Sequence, residues 1–387
     1  MSLKPMIREG VALNAHPLGC KQNIINQINE LKDYEVIQEK PINVLIIGGS
    51  SGYGLASRIA LTFKGNAYTY NVSYERAARG RGTASAGYYN NHFFEEIAQQ
   101  HGFESDDLNA DCFAHETKQR VIDDLKSKNK KIDCVIYSVA SGIRIDPDTQ
   151  KKYVSSLKPI NQPYTGTTID IMSKELKTQT LQPATAQEIE DTINVMGGSD
   201  YYLWAKALVD ADLINEGCKF VTYTYIGSSL TDPIYKDGTI GQAKRDLEKT
   251  NKKINALLKP YDGEAIISAS KAVVTKASVF IPTMAIYVSA LFKVMKEEKT
   301  HETITQHKYR LFKDRVYGQQ NTHDIYRLDK YELQAQSQVE KILAKFQDDE
   351  FLDMIEFKYF KQDFLNMNGF DVDNCDYSLD VSEYIKI

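Results

Sequence analysis

Cysteine is scarce in this chain, and what there is lies scattered. Cys20, Cys112, Cys134, Cys218 and Cys375 form no C-x-x-C pair, and their odd number suits free thiols in a reducing cytoplasm rather than a disulfide framework. The seven histidines fall at no ligand spacing such as H-x-x-x-H, so neither residue type implies a bound metal. No uninterrupted apolar run approaches the roughly 20 residues of a membrane span, and MSLKPMIREG at the start carries no signal-peptide core. A basic excess is missing too: the formal charge of -5 and a pI near 5.9 argue against a general nucleic-acid surface. Tryptophan occurs once, at Trp204, and reads as structural. Tyrosine occurs 24 times, so any one of them is a weak catalytic candidate unless its position supports it. These absences leave an ordinary globular chain, expected in the cytoplasm, without repeats or low-complexity tracts and with ample core at 42% hydrophobic residues.

What is present concentrates first in KPINVLIIGGSSGYGLAS, residues 40–57. Residues 43–47 are apolar and β-branched and read as a strand buried on both faces. The run enters Gly48, Gly49, Gly52 and Gly54, and a helical pattern opens over residues 53–61. Strand, glycine turn and helix start together predict a dinucleotide-binding turn. Glycines let the backbone bend, approach a pyrophosphate and pack helix on strand, and the free N–H groups of the new helix attract phosphate. The spacing is G-x3-G-x-G and resembles the short-chain dehydrogenase type. A second strand, residues 67–73, ends in Tyr74 and Glu75. A carboxylate about 20 residues past the glycines is where an adenosine ribose lies. Glu75 there would accept from the ribose hydroxyls and repel a 2′-phosphate, which predicts NADH over NADPH. Arg76 and Arg79 follow and could serve a 2′-phosphate, which tempers the preference.

Along the chain, residues 1–39 are expected to hold a covering helix over 21–33, with His16 in the turn before it. Residues 79–91 read as an irregular loop, 91–101 and 115–127 as helices, and the region near 107–112 as a third strand ending at Asp111 and Cys112, where this fold contacts adenine. A fourth buried strand over 132–139 exits into the small residues Ala140, Ser141 and Gly142, which leave room for a cofactor. Residues 143–185 break the alternation and read as a hairpin excursion, a candidate lid. A helical stretch over 186–214, broken at Gly197-Gly198, leads to a fifth strand over 219–226, with Tyr223 and Tyr225 on one face. A helix over 242–258 opens near Thr239, a sixth strand and its exit cover 264–275, and 284–296 is an apolar helix, core or substrate-tunnel wall. Residues 301–387 read as a mostly helical extension carrying no legible chemistry. The fold class expected is α/β, a doubly wound parallel sheet in one enlarged Rossmann-type domain spanning 1–387.

Chemistry gathers in TYTYIGSSLTDPIYKDGTIGQAKRDLEKT, which contains Tyr225, Tyr235 and Lys244. Redox enzymes of this fold use a tyrosine to donate to the oxygen that turns negative as hydride arrives, and a lysine to lower its pKa and hold the nicotinamide ribose. Tyr235 and Lys244 are nine apart, which on one helix would point them in opposite directions. Tyr235 is therefore expected on a loop before the helix, with Asp237-Gly238 as the turn. Spacing alone leaves open a packed tyrosine and a solvated lysine.

At these residues the sequence resembles the FabV/TER family, the NADH-dependent trans-2-enoyl-CoA and enoyl-acyl-carrier-protein reductases. The resemblance is carried by Tyr-x8-Lys, GGSSGYGLASR, NAHPLGC, YSVAS, VMGG, TYIG, GTIGQAK, VVTKAS, LFKVMK and NGFDVD, and runs from Lys4 to about Tyr377. It implies a pyrophosphate turn of Gly48, Gly49, Ser50, Ser51, Gly52 and Tyr53, with Tyr74 and Glu75 at the adenosine ribose. It implies that Asp111, Cys112, Val139 and Ala140 line the cofactor, and that Val273, Val274 and Thr275 border the nicotinamide end. Tyr225 would contact substrate and, with Tyr235, stabilise the enolate; Tyr235 would donate the proton, and Lys244 bind cofactor and support the enolate. The implied partner is an acyl-carrier-protein or coenzyme A thioester, and the implied state a monomer with a lid over the acyl site. Fatty-acid elongation and short-chain fermentative reduction of crotonyl-CoA both fit; Lys151, Lys152 and Lys158 in the excursion would suit either carrier. A ketoreductase would be expected to carry Tyr-x3-Lys instead, and a non-catalytic NADH sensor would not need to keep the tyrosine and the lysine.

Overall fold

Hydrophobic runs too apolar for a solvent-facing sheet build the centre of the molecule. The computed structural model describes residues 3–8, 10–80, 82–227, 229, 232–275, 281–318, 325–346 and 351–387. Among the described residues the main sheet has seven strands: β1 (Ile42–Ile47), β2 (Ala67–Ser73), β3 (Ser105–Asn109), β4 (Ile132–Tyr137), β5 (Ile214–Thr224), β6 (Glu264–Ala269) and β7 (Ile325–Arg327). Their spatial order is β7-β6-β5-β4-β1-β2-β3 and every pairing is parallel. In β1, Leu45 and Ile47 face one core while Val44 and Ile46 face the other, the two-sided burial that a parallel sheet demands.

One face is covered by α1 (Pro17–Asn29), α2 (Gly52–Gly65) and α3 (Ala86–Gln100), with Ile24, Leu55, Ile59, Phe93 and Phe94 packed together. The other is covered by α4 (His115–Ser127), α6 (Ser199–Asp210) and α7 (Thr239–Leu258), with α5 (Ala186–Met196) packed on α7. A further apolar layer joins α8 (Met284–Glu297), α10 (Lys330–Leu343) and α11 (Phe357–Asn366), with α9 (Ile304–Leu311) lying against α2. Because the strands are all parallel, their C-terminal ends open on one edge. The strand order reverses there between β1 and β4, which is where this fold places a dinucleotide.

The structure departs from the sequence expectations at definite points. α1 starts at Pro17, not 21, because the His16 Nδ1 accepts from the Gly19 N–H and proline suits the first helical position. Residues 86–91 are the first turns of α3, not loop: Tyr89 is buried, Asn90 donates to the Ser50 carbonyl and Asn91 to Ser73. β3 ends at Asn109, and Asp111-Cys112 lie in the following turn, closed by the Ala114 N–H on the Asp111 carbonyl. β4 ends at Tyr137 and β5 at Thr224, so Tyr223 stays in the sheet while Tyr225 leaves it. Tyr235 closes a one-turn helix, Asp232–Tyr235, instead of lying on open loop. β6 is followed by a seventh strand, β7, whose three residues carry no legible period.

Residues 143–185 contain two antiparallel hairpins, Ile143–Ile145 with Lys152–Val154 and Tyr164–Ile169 with Leu176–Leu181. The second sits on the start of α8, where the Thr283 N–H donates to the Thr167 carbonyl. Beyond α11 the chain has no regular element among the described residues, yet its end is anchored by the Tyr89 hydroxyl on the Ile385 carbonyl. Lys276, Ala277 and Ser278 of VVTKAS lie outside the described residues.

Phe360 of α11 is fully buried and shares a core with α8. Phe360→Ala is expected to cost about 3–5 kcal/mol and to lower the midpoint of a single denaturant transition. A wild-type midpoint, or a separate early transition for α11, would detach this helix from the common core.

Candidate active site

The glycine turn is built on contact between backbones. Gly48 has φ +91°, and a Cβ there would lie 2.3 Å from the Ser138 carbonyl oxygen. A Cβ on Gly54 would lie 2.0 Å from the Gly48 carbonyl oxygen. Helix α2 therefore rests directly on the end of β1, as close approach to a pyrophosphate requires. The Ser51 side chain does not cap α2, so the first-turn N–H groups are left facing the turn and suit a phosphate. Two sequence-predicted contacts are already engaged: the Gly49 N–H donates to the Asn71 Oδ1 (2.8 Å), and the Ser50 hydroxyl donates to Glu75 (2.6 Å).

Glu75 stands at the exit of β2, held from three sides. Its oxygens accept from the Ser50 and Ser85 hydroxyls at 2.6 Å each, and its backbone N–H donates to the Asn109 Oδ1. Gly87 makes room for it, since a Cβ there would come within 2.1 Å of a carboxylate oxygen. Each oxygen keeps a lone pair for a ribose hydroxyl. The neighbouring Arg76 guanidinium is tied to the Thr83 carbonyl, away from a 2′-phosphate role. Tyr74 is 81% exposed beside it. Asp111 folds back on the Phe113 N–H, and the Cys112 carbonyl accepts from Trp204 Nε1 and Lys118 Nζ. The buried Lys118–Asp200 pair (2.7 Å) thus fixes that turn from below. Val139 and Ala140 follow β4; Val273, Val274 and Thr275 follow β6. The sheet edge brings all of these exits together. An NAD-type dinucleotide fits this cradle, on the evidence of the forbidden Cβ positions at Gly48 and Gly54 and the positioned Glu75 carboxylate.

On the far side of the edge the aromatic residues converge. The Tyr225 and Tyr235 ring centroids are 4.9 Å apart in an edge-to-face arrangement. The Tyr225 hydroxyl donates to the Glu332 Oε1 (2.9 Å), whereas the Tyr235 hydroxyl has no hydrogen-bond partner among the described residues. Burial, reinforced by the Glu332 charge, holds the Tyr235 phenol well above its ordinary range, so it stays protonated. Lys244 projects from α7 and donates to the Tyr223 carbonyl (3.2 Å); desolvation pushes its ammonium down to about 8. Tyr53 of the glycine turn reaches the same edge, donating to the Lys271 carbonyl (2.8 Å) and packing on Tyr223. Beneath these rings lies Lys308, fully buried, with its Nζ 4.0 Å from the Tyr53 ring and 3.7 Å from the Tyr223 ring. It donates to the Ser270 hydroxyl, and burial holds it well below the usual lysine range.

Sequence reasoning missed Glu332, Lys308 and His307, because a region read only by its helical period shows no chemistry. It missed Ser85, Gly87 and Asn109, which serve Glu75 from elements remote in sequence. Among the described residues there is no cluster of three or more His, Cys, Asp or Glu side chains able to hold a metal, and no helix is long and apolar enough to cross a membrane.

Residues 82–317 match the family described as the trans-2-enoyl-CoA reductase catalytic region, and residues 2–80 the NAD(P)H binding domain of trans-2-enoyl-CoA reductase. The chain is 39% identical over 394 residues to an enoyl-[acyl-carrier-protein] reductase [NADH] of Photobacterium profundum, covering 100% of this chain and 98% of that one. It is 41% identical over 385 residues to a trans-2-enoyl-CoA reductase [NADH] of Clostridium perfringens, covering 98% and 99%. The crystal structure of Clostridium acetobutylicum trans-2-enoyl-CoA reductase in complex with NADH superposes with a TM-score of 0.96 at 38% identity, covering 100% and 99%.

Residues 321–381 match a third description, an enoyl reductase FAD binding domain. The described part of this segment does not fit a flavin dinucleotide. Its one glycine, Gly369, is pressed on the His16 carbonyl and Cys20 N–H, where a Cβ would lie 2.3 and 2.7 Å away. Its phenylalanines Phe351, Phe357, Phe360 and Phe364 are spent in the core with α8. With a catalytic-region match over residues 82–317 and near-complete coverage by relatives at about 40% identity, the chain belongs to the trans-2-enoyl-CoA reductase family.

Proposed function

We propose that the chain reduces the C2–C3 double bond of trans-2-enoyl thioesters, carried on acyl carrier protein or coenzyme A, to the saturated acyl thioester. The observation that carries this reading is the tyrosine pair: two rings in contact, one hydroxyl tied back to a carboxylate and the other without a partner among the described residues, at the sheet edge opposite the glycine turn. Bound NADH supplies the hydride that reaches C3. As it arrives, negative charge grows on the thioester oxygen, and the Tyr235 hydroxyl donates to that oxygen from a site where little water competes. The Tyr235 hydroxyl gives its proton to the enolate, the proton ends at C2, and the phenolate left behind recovers one from solvent. Lys244, with two N–H groups beyond its bond to the Tyr223 carbonyl, holds the ribose hydroxyls nearest the nicotinamide and adds positive charge beside the enolate. Glu75 accepts from the adenosine ribose hydroxyls, and the start of α2 takes the pyrophosphate. Asp111, Cys112, Val139 and Ala140 bound the adenine side, with Val273, Val274 and Thr275 at the nicotinamide end. The reading takes the chain to act as a monomer. The five cysteines are scattered and odd in number, three of them buried, a usage that suits the cytoplasm.

The defining assay follows loss of NADH absorbance with crotonyl-CoA and with a longer enoyl chain on acyl carrier protein. Turnover is expected with at least one, and the ratio assigns elongation or short-chain reduction. Tyr235→Phe should lower kcat by about 10²- to 10⁴-fold with NADH affinity nearly unchanged; near-normal kcat would remove Tyr235 from the chemistry. Glu75→Ala should narrow the preference for NADH over NADPH, and an unaltered ratio of kcat/KM values would move the ribose contact elsewhere.

Lys244 gives a pH signature. Its ammonium is charged below about 8 and lost above it, so kcat/KM should fall as pH rises through that value. In Lys244→Arg, which stays charged, this limb should disappear even if the maximum is lower. A limb that persists in the arginine variant belongs to another group.

A further inference from the structure

Glu332 lies in the first turn of α10, within the stretch read from sequence as free of chemistry. It is 3% exposed, and among the described residues no lysine, arginine or histidine pairs with it as a salt bridge. Its carboxylate is satisfied by three donors from three different elements. Oε1 accepts from the Tyr225 hydroxyl past β5 (2.9 Å) and from the Tyr287 hydroxyl on α8 (2.6 Å). Oε2 accepts from the Ala272 N–H past β6 (2.6 Å), next to Val273 at the nicotinamide end. Keeping a carboxylate buried with no cation in direct contact is unfavourable, and the charges of Lys271 and Arg327 act on it from further off. Each acceptor here is nevertheless directed at a group that borders the active site.

We infer that Glu332 is a positioning residue that aims Tyr225 and thereby leaves Tyr235 as the hydroxyl that donates to the substrate. A phenol has one hydrogen to give. Once Tyr225 gives it to Glu332, its oxygen presents only lone pairs to the cleft and its ring is locked in place. That ring stands edge-to-face against Tyr235, so the orientation passes on to the uncommitted hydroxyl. The same carboxylate fixes the backbone at Ala272, which ties the tyrosine pair in register with the nicotinamide end. Tyr287 supports the arrangement from outside, its hydroxyl also lying 3.1 Å from the Gln336 side-chain amide one turn further along α10. The inference rests on the reductase reading.

The test is a double-mutant cycle on the full chain with NADH and crotonyl-CoA, comparing wild type, E332Q, Y225F and the double variant. Glutamine keeps the size but replaces one of the two acceptor oxygens with a donor. E332Q is expected to lower kcat about 10-fold or more while KM for crotonyl-CoA and the NADH Kd, read by fluorescence, stay within about threefold. The double variant should be no slower than the slower single one, because both remove the same interaction. Effects that multiply, or a normal kcat with only a lowered melting temperature, would reduce Glu332 to a structural carboxylate and overturn the inference. If E332Q does not fold, E332D carries the same cycle, keeping the charge while withdrawing it from Tyr225. A wild-type enzyme silent with crotonyl-CoA and with enoyl-acyl carrier protein overturns the reductase reading itself, whereas an active wild type with multiplicative effects overturns only the role of Glu332.

Discussion

Contact between the backbones of Gly48 and Gly54 is the constraint on which the rest of the molecule depends. With the Gly54 Cβ position 2.0 Å from the Gly48 carbonyl oxygen, any larger side chain would push α2 off the end of β1. The seat of α2 decides where its first N–H groups point. It also brings Tyr53, at the second position of that helix, across to Tyr223 and the Lys271 carbonyl. One steric condition thus sets both the phosphate cradle and one wall of the catalytic edge.

A second theme is desolvation at that edge. Lys244, Lys271 and Lys308 sit behind or beside the tyrosines, and burial lowers all three. Lys308 lies against two aromatic faces and the Ser270 hydroxyl, contacts that favour its charged form against that burial. His307, next to it, is pushed down to about 3 by burial, so the neutral ring accepts the Lys271 N–H at Nε2 while Nδ1 faces Glu302. These groups hold the exit of β6 in a fixed path. Cations in a poorly solvated edge also favour an oxygen that becomes negative during reaction, because water screens them little.

The C-terminal third gives the site more than shelter. α8, α10 and α11 share one core, and through Glu332 this layer touches both Tyr225 past β5 and the Ala272 backbone past β6. A segment whose family description mentions a flavin here contributes a carboxylate to the tyrosine pair and its aromatic residues to packing. Joining the last third of the chain to the exits of β5 and β6 makes the catalytic edge dependent on tertiary closure of the whole molecule.

The sequence by itself determined the pieces whose physics is local. Residues 42–47 are apolar at every inward position, the glycines follow at once, and Glu75 closes the next strand, so a parallel sheet with a dinucleotide turn was legible from period and spacing. The nine-residue separation of Tyr235 and Lys244 forced the tyrosine off the helix of the lysine, and the one-turn helix Asp232–Tyr235 before α7 meets that demand in another form. What depended on distant partners was not legible. Residues 86–91 looked like loop because what they serve, room for Glu75 at Gly87 and bonds from Asn90 to Ser50 and from Asn91 to Ser73, lies on other elements. β7 is three residues long and acquires its strand character only by pairing with β6. Glu332 has no local signature, because its three donors come from segments 45 to 107 residues away. Only the tertiary structure decided that the Tyr225 hydroxyl is committed, since its acceptor Glu332 is folded in from 107 residues further along the chain.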